Sequence, residues 1–215
     1  MEELLRSPEK GDRILPDPTV LERYQGPNED AVAAGYRIAA RTIIMSLRSA
    51  GDEVFLFYPV VFLYRHHVEL LLKNLVAAFD EPGIRQMTQA DELSEKERDR
   101  LLTAHSLQLL WDHLRPSVVA LGNAVRAETV EGVNSYIRQL NEIDPDSTKF
   151  RYATDLHATK ARLKARHENE AETRDLRSFA TAMERLSGYL LGLDAWVAEM
   201  NGYYYEMHAE ADYGY

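Results

Sequence analysis

The chain has 215 residues and a formal net charge of -10, and 45% of its residues are hydrophobic while 28% are charged. This composition excludes global disorder, and the length favours one globular domain. The charge argues against a protein that coats nucleic acid by bulk electrostatics, and the absence of cysteine excludes disulfides, thiolate zinc sites and cysteine nucleophiles.

The N-terminal residues help to predict the cellular compartment of the protein. The sequence MEELLRSPEKGDR has charges where a signal peptide needs a continuous apolar stretch. No apolar run reaches the roughly 18 residues that a membrane helix needs. Together with the lack of cysteine, these features predict a cytoplasmic protein that neither enters nor binds a membrane.

The first part of the chain predicts an arm and a helix. Residues 1–26 contain prolines and glycines without a helical period, which predicts an extended N-terminal arm. Apolar residues then recur at three- and four-residue spacing from Asn28 to Gly51, which predicts an amphipathic helix. Its predicted buried stripe is Val32, Tyr36, Ala40, Ile43, Ile44 and Leu47.

A second helix is predicted from Pro59, since proline fits a first helical turn, to Phe79, which precedes a Glu-Pro-Gly stop. Its predicted buried stripe is Leu63, His67, Leu70, Leu71, Asn74, Leu75 and Ala78. The other face carries a charge ladder with four-residue spacing, namely Arg65, Glu69 and Lys73. Alternating charges at this spacing pair along a helix, and we expect this face to be solvated.

The middle of the chain predicts three shorter helices. Ser94 and Glu97 match a capping box, and Thr103 is a candidate N-cap for the following helix, which Pro116 interrupts. A further helix is predicted over residues 128–143. Its buried stripe is Val130, Val133, Ile137 and Leu140.

Residues 147–170 follow an Asp-Pro-Asp-Ser break and have no clean period, which is typical of a functional or mobile segment between packed helices. A long helix is predicted from about Glu172, and its length implies packing against several helices or a partner subunit. Its apolar seam comprises Leu176, Phe179, Met183, Leu186, Leu190, Leu193, Trp196, Val197 and Met200. Tyrosines then accumulate at Tyr203, Tyr204, Tyr205, Tyr213 and Tyr215.

These elements predict an all-α fold, a bundle of about five to seven helices with a long C-terminal helix. The predicted organisation is an arm at 1–26, a helical domain at 27–208 and a Tyr-containing tail at 209–215. The common nucleotide, metalloprotease and serine-hydrolase motifs are missing. His66 and His67 are adjacent and point to different helix faces, so they do not form a shared metal site. We therefore expect neither a cofactor nor a metal.

Two segments, FLYRHHVELLLKNLVAAF at 62–79 and TAHSLQLLW at 103–111, together resemble the HEPN superfamily of small helical proteins. In that family an early helix often reads like ELLLKNLV, and a later helix opens with a Thr/Gly-His-x-Leu signature, here Thr103, His105 and Leu107. The segment FRYATD at 150–155 is similar to a turn before the last helix of bacterial relatives. The resemblance implies a HEPN-like bundle, frequent homodimerisation and, in active members, metal-independent cleavage of single-stranded RNA.

Active members of the family carry an Arg followed, after four to six residues, by a His. The imidazole moves a proton while the guanidinium stabilises charge on the phosphate. Four pairs in this chain have that spacing: Arg98 and His105, Arg100 and His105, Arg151 and His157, Arg162 and His167. Arg151 and His157 are our candidate catalytic residues, because they lie in the irregular segment, where function concentrates.

Each pair also has a structural interpretation. Arg151 is close enough in sequence to pair with Asp155, which would leave His157 merely exposed. His105 lies in the helix-opening signature and is expected to be a structural hydrogen-bonding residue. The pair at 162–167 lies in the charged stretch KARLKARHENE, which is typical of a solvated surface.

Two functions therefore stay open. The first is a metal-independent endoribonuclease of a toxin or defence system, which acts as a homodimer on single-stranded RNA. The second is a non-catalytic HEPN-like module for dimerisation or regulation that binds a protein partner. The tyrosine-rich tail favours a protein contact, because its neighbours Glu206, Glu210 and Asp212 would repel phosphates.

Overall fold

The computed structural model describes residues 29–122, 127–144 and 176–212. Within these ranges the chain forms helices and no strand, which confirms the all-α prediction for this part of the chain. The helices are α1 Glu29–Ser46, α2 Ala50–Phe79, α3 Pro82–Thr88, α4 Glu95–Thr103, α5 Leu107–Ala120, α6 Ala127–Ile143 and α7 Leu176–Asp212. The predicted arm at 1–26 and the irregular segment at 147–170 lie outside the described residues.

Helix α2 forms the centre of the bundle. It has 30 residues, so it is about 45 Å long, and it contacts α1, α3, α4, α5 and α7. Its fully buried positions include several outside the predicted stripe: Val60, Tyr64, Val68, Leu72 and Val76. A helix with neighbours on most sides buries more than one stripe.

The predicted start of α2 at Pro59 is wrong. The helix begins at Ala50, after a capping box in which the Ser49 hydroxyl accepts from the Asp52 amide and the Asp52 carboxylate accepts from the Ser49 amide. Pro59 lies inside the helix at an exposed position. The carbonyl that loses its helical donor there can be hydrated, so the proline does not end the helix.

The predicted boundaries of α5 are also wrong. Thr103 is the last residue of α4 rather than a cap, since its hydroxyl donates to the Asp99 carbonyl at 2.6 Å. The N-cap of α5 is Ser106, whose hydroxyl accepts from the Leu109 amide at 3.2 Å. Pro116 is exposed and lies within α5, which continues to Ala120. In both helices with an interior proline, the ring lies on the solvent side.

Helices α1 and α6 differ in how well their stripes were predicted. All four predicted residues of α6 are buried: Val130, Val133, Ile137 and Leu140. In α1 the predicted Val32 is instead exposed, and the neighbouring Ala33 is buried together with Ala40, as is Leu47 just after the helix. The stripe of α1 is thus shifted by one residue at its start.

Helix α7 has 37 residues, which corresponds to about 55 Å. Its predicted seam is confirmed, with Leu176, Met183, Leu186, Leu190, Leu193 and Val197 buried and with Phe179, Trp196 and Met200 partly buried. Asn201 attaches α7 to the turn between α2 and α3, since its amide oxygen accepts from the Ile84 amide at 3.0 Å and its amide nitrogen donates to the Ala78 carbonyl at 2.9 Å. The helix includes Tyr203, Tyr204 and Tyr205 and runs to Asp212.

Across residues 29–122, 127–144 and 176–212, no helix combines the length with the apolarity that crossing a bilayer requires.

Candidate functional site

Helix α2 buries the charge ladder that we predicted on a solvated face. The side chains of Arg65 and Glu69 are each 1% exposed, and that of Lys73 is 16% exposed. The prediction was wrong because the α4–α5 link and the end of α6 cover this face and supply polar partners. An ion pair at this depth requires that its remaining hydrogen-bonding groups are satisfied.

Three oxygens from different parts of the chain satisfy the guanidinium of Arg65. Its Nε donates to the carbonyl of Asp144 at 3.0 Å, and its Nη2 donates to the carbonyl of His105 at 2.7 Å. Its Nη1 donates to Oε2 of Glu69 at 3.0 Å. Arg65 therefore fixes the α4–α5 link and the C-terminal end of α6 against α2.

The second oxygen of Glu69 orients a histidine. Oε1 accepts from Nζ of Lys73 at 3.0 Å and from Nδ1 of His105 at 2.9 Å. Because a carboxylate only accepts, Nδ1 carries the proton, and the 53% exposed imidazole presents Nε2 as its accessible nitrogen. Burial raises the pKa of Glu69, but the hydrogen bonds from Lys73 and His105 outweigh it and hold this pKa below its usual range. A fixed anion behind an exposed imidazole is an arrangement that proton transfer can use.

The arginines of the described Arg–His pairs are each held by a separate carboxylate. Arg98 forms an ion pair with Asp80. Arg100 donates to both oxygens of Glu97, at 2.7 and 2.9 Å. His105 is bound to a different carboxylate, as described above, which agrees with its expected hydrogen-bonding role. Neither Arg98 nor Arg100 therefore binds the carboxylate that holds His105.

The candidate catalytic residues Arg151 and His157 lie outside the described residues, and so do Arg162 and His167. The chain leaves the described part at Asp144, whose carbonyl binds Arg65, and re-enters it at Leu176. The proposed role of Arg151 and His157 thus stays a prediction.

The adjacent histidines of α2 have different surroundings. The ring of His66 stacks on Phe62 and meets Tyr36 edge-on. His67 is buried, and its Nδ1 donates to the Ala33 carbonyl at 2.8 Å while Nε2 has no hydrogen-bond partner. Burial lowers the pKa of His67, because protonation would place an unsatisfied N–H in the core. In the described ranges no group of three or more His, Cys, Asp or Glu residues is placed to hold a metal.

A second polar cluster joins α1, α2 and α7. Glu184 accepts from Nε and Nη2 of Arg37 at 3.1 and 2.6 Å, and from the hydroxyl of Tyr64 at 3.0 Å. Nε of Arg41 lies 4.0 Å from the same carboxylate. Burial raises the pKa of Glu184, but the hydrogen bonds from Arg37 and Tyr64 outweigh it and lower this pKa. Burial raises the pKa of Tyr64, and its bond to Glu184 raises it further.

One pocket lies between α2, α5 and the loop that follows α3. Its volume of about 40 Å³ is bounded by Phe79, Asp80, Ala90, Asp91, Leu93, His113, Leu114 and Ser117. A space of this size accommodates a few water molecules rather than a nucleotide. This pocket therefore gives no support to a nucleotide-binding site.

Sequence reasoning missed the buried network around Arg65 and Glu69, although one signal for it was present. Helix α2 carries apolar residues on both sides of the ladder, with Val68 and Leu72 on one side and Leu63 and Leu70 on the other. A helix that is apolar nearly all round is enclosed, and charges within it require internal partners.

Comparison of the chain with protein-family models, with curated proteins and with solved structures finds no match.

Proposed function

We propose that this chain is a HEPN-like helical module that acts as a homodimer and does not itself catalyse a reaction. The observation that carries the proposal is an exposed, weakly charged face in the middle of α7. Its exposed residues are Gly188, Leu191, Gly192, Ala195 and Ala198. At Gly188 and Gly192 no atom beyond the chain neighbours and the adjoining backbone of α7 lies within 4 Å of the position that a Cβ would occupy. A second helix can approach such a face closely, because helix separation depends on the side chains at the contact.

The charge distribution of the chain supports contact at this face. Two copies with a net charge of -10 each repel one another. Between Arg185 and Glu206, α7 carries only Asp194 and Glu199 as charged residues. Repulsion is therefore weak where two α7 helices would meet.

The α7 face is also self-complementary. A two-fold dimer uses the same surface on both copies, so antiparallel α7 helices that cross at Gly192 place residues at equal distances on either side of it opposite each other. Arg185 and Glu199 stand at such equal distances, and both are exposed. The crossing thus forms two symmetry-related ion pairs between Arg185 of one copy and Glu199 of the other.

Sedimentation equilibrium tests this proposal. The wild type should be a dimer, and Gly192→Glu should be a monomer, because the added side chain blocks close approach. Gly132→Glu is the matched control, since Gly132 is exposed on α6 with open space around it. A monomeric wild type, or a dimer that persists in Gly192→Glu, would show that the α7 face is not the interface.

Charge exchange tests the orientation of the dimer. Arg185→Glu and Glu199→Arg should each weaken dimerisation several-fold, since exposed ion pairs contribute about 0.2–1 kcal/mol and each occurs twice. The double variant should dimerise as the wild type does, because the exchange restores both pairs. If the double variant is no better than the single ones, the helices do not cross in this antiparallel register.

A second candidate function is metal-independent cleavage of single-stranded RNA, and the oriented imidazole of His105 favours it. Labelled RNA in EDTA should then be cut by the wild type and not by His157→Ala or Arg151→Ala. Cleavage lost only in His105→Ala would assign the proton transfer to His105 instead. Absence of cleavage by a correctly folded dimer would exclude this function for the RNA tested.

A further inference from the structure

We infer that the outer face of α1 docks an acidic amphipathic helix of a partner protein. This inference concerns a different surface and a different partner from the dimer proposed above. The docking face consists of four exposed residues at alternating spacings of four and three: Ala34, Ile38, Arg41 and Met45. Residues at these spacings lie along one side of a helix, where they form a seam for a second helix.

The apolar members of this seam are unusually exposed. The exposed fraction is 62% for Ile38 and 80% for Met45. These two residues are seven apart, so both lie on the same side of α1 and about 10 Å from each other along its axis. Two large apolar side chains at this spacing match the anchors by which an amphipathic helix binds a helical surface.

The charges around the seam define the chemistry of the partner. No Asp or Glu lies between Asp30 and Asp52, whereas this interval contains Arg37, Arg41 and Arg48. Glu184 is already bonded to Arg37 and Tyr64, and Arg41 stays 56% exposed at 4.0 Å from it. A carboxylate on a docked helix can therefore bind Arg41 with charge-assisted hydrogen bonds.

Charge also argues against a second copy as the occupant of this seam. Arg41 lies near the middle of it, so two α1 helices in either orientation would bring arginines close to one another without a facing carboxylate. The apolar anchors argue against nucleic acid, because the branched side chain of Ile38 and the thioether of Met45 offer no ring on which a base can stack. A helix with apolar residues and carboxylates satisfies both parts of the surface.

The experiment uses the full chain and a fluorescent helical peptide as probe. The peptide carries two leucines seven residues apart, with glutamates between and beside them, and a matched peptide carries lysines in place of those glutamates. Fluorescence anisotropy should show binding of the glutamate peptide to the wild type. Binding should be at least tenfold weaker with Arg41→Glu or with Met45→Glu. Arg138→Glu, at an exposed position of α6, is the control and should bind as the wild type does.

A reversal of preference provides the sharpest result. Arg41→Glu should bind the lysine peptide more tightly than the glutamate peptide, which a misfolded protein would not do. The inference is overturned if the glutamate peptide does not bind, or if it binds equally to all variants. It is also overturned if single-stranded RNA binds the wild type more tightly than this peptide and loses that binding in Arg41→Glu.

Discussion

Replacement of Arg65 by methionine tests the buried network directly. Methionine is unbranched and of similar length, so Arg65→Met retains much of the packing and removes the charge with its hydrogen bonds. The carbonyls of His105 and Asp144 then lose a donor inside the protein, and Glu69 loses one of its three cationic or imidazole partners. Buried acceptors without donors are costly, because water satisfies them in the unfolded chain.

The expected loss follows from the burial of the pair. Removal of one partner from a buried ion pair costs about 3–5 kcal/mol. Glu69 keeps Lys73 and His105, which places the loss nearer the lower value. A domain is stable by only about 5–15 kcal/mol. For a chain of this size each kcal/mol lowers the Tm by about 2–4 °C, so Arg65→Met should lower it by roughly 6–12 °C.

Unfolding in guanidinium chloride, followed by circular dichroism, measures this loss of stability. The denaturant concentration at the midpoint should fall, while the slope of the unfolding free energy against denaturant concentration stays unchanged, because the same surface is exposed on unfolding. Arg138→Met, which removes an exposed arginine from α6, should unfold as the wild type does. The double variant Arg65→Met/Glu69→Leu should recover part of the loss, since the buried carboxylate is removed as well. Equal stability of Arg65→Met and Arg138→Met would refute the structural role of Arg65.

Three further predictions concern stability. Burial lowers the pKa of His67, so below about pH 6.5 its imidazole takes up a proton more readily in the unfolded chain than in the folded one. The free energy of unfolding should therefore decrease as the pH is lowered below about 6.5, and it should decrease less in His67→Gln. Gly83→Ala should destabilise by about 1–3 kcal/mol, because its Cβ would lie 2.8 Å from Oδ1 of Asn201, whereas Gly132→Ala should stabilise by about 0.5–1 kcal/mol. Pro59→Ala should raise the Tm, because it supplies the missing amide at an exposed position of α2.

Thermal unfolding at several pH values measures all three effects. An equal pH dependence for the wild type and His67→Gln would show that folding does not lower the pKa of His67. A Gly83→Ala variant as stable as the wild type would mean that α7 shifts at this contact and makes room for the added methyl group. A lower Tm for Pro59→Ala would show that the proline makes a favourable contribution to the folded state.

The elements that the sequence predicted well are those whose neighbours lie on one side. In α6 a single stripe of Val130, Val133, Ile137 and Leu140 carries the information, and all four residues are buried. The start of α2 was missed because Pro59 resembles the proline of a first helical turn, although the capping box of Ser49 and Asp52 is also a local signal. Whether a proline ends a helix depends on which side of the helix meets solvent, and that is a property of the tertiary fold.

The buried ladder shows why part of the candidate site was not predictable. Arg65, Glu69 and Lys73 have the spacing of an exposed ion-pair row, and that spacing is the same whether water or protein lies opposite. The deciding contacts are the carbonyls of His105 and Asp144, which lie 40 and 79 residues away from Arg65 in sequence. No local pattern encodes these two approaches.

The bonds of Arg65 have a consequence for the order of events in folding. Both carbonyl contacts of its guanidinium require long loops to close before they can form, and loop closure is paid in chain entropy. We expect these contacts to appear after the folding barrier has been crossed, so Arg65→Met should accelerate unfolding in stopped-flow experiments and leave the refolding rate nearly unchanged. The guanidinium of Arg65 would then set the lifetime of the folded bundle, and the time that the chain needs to fold would be independent of it.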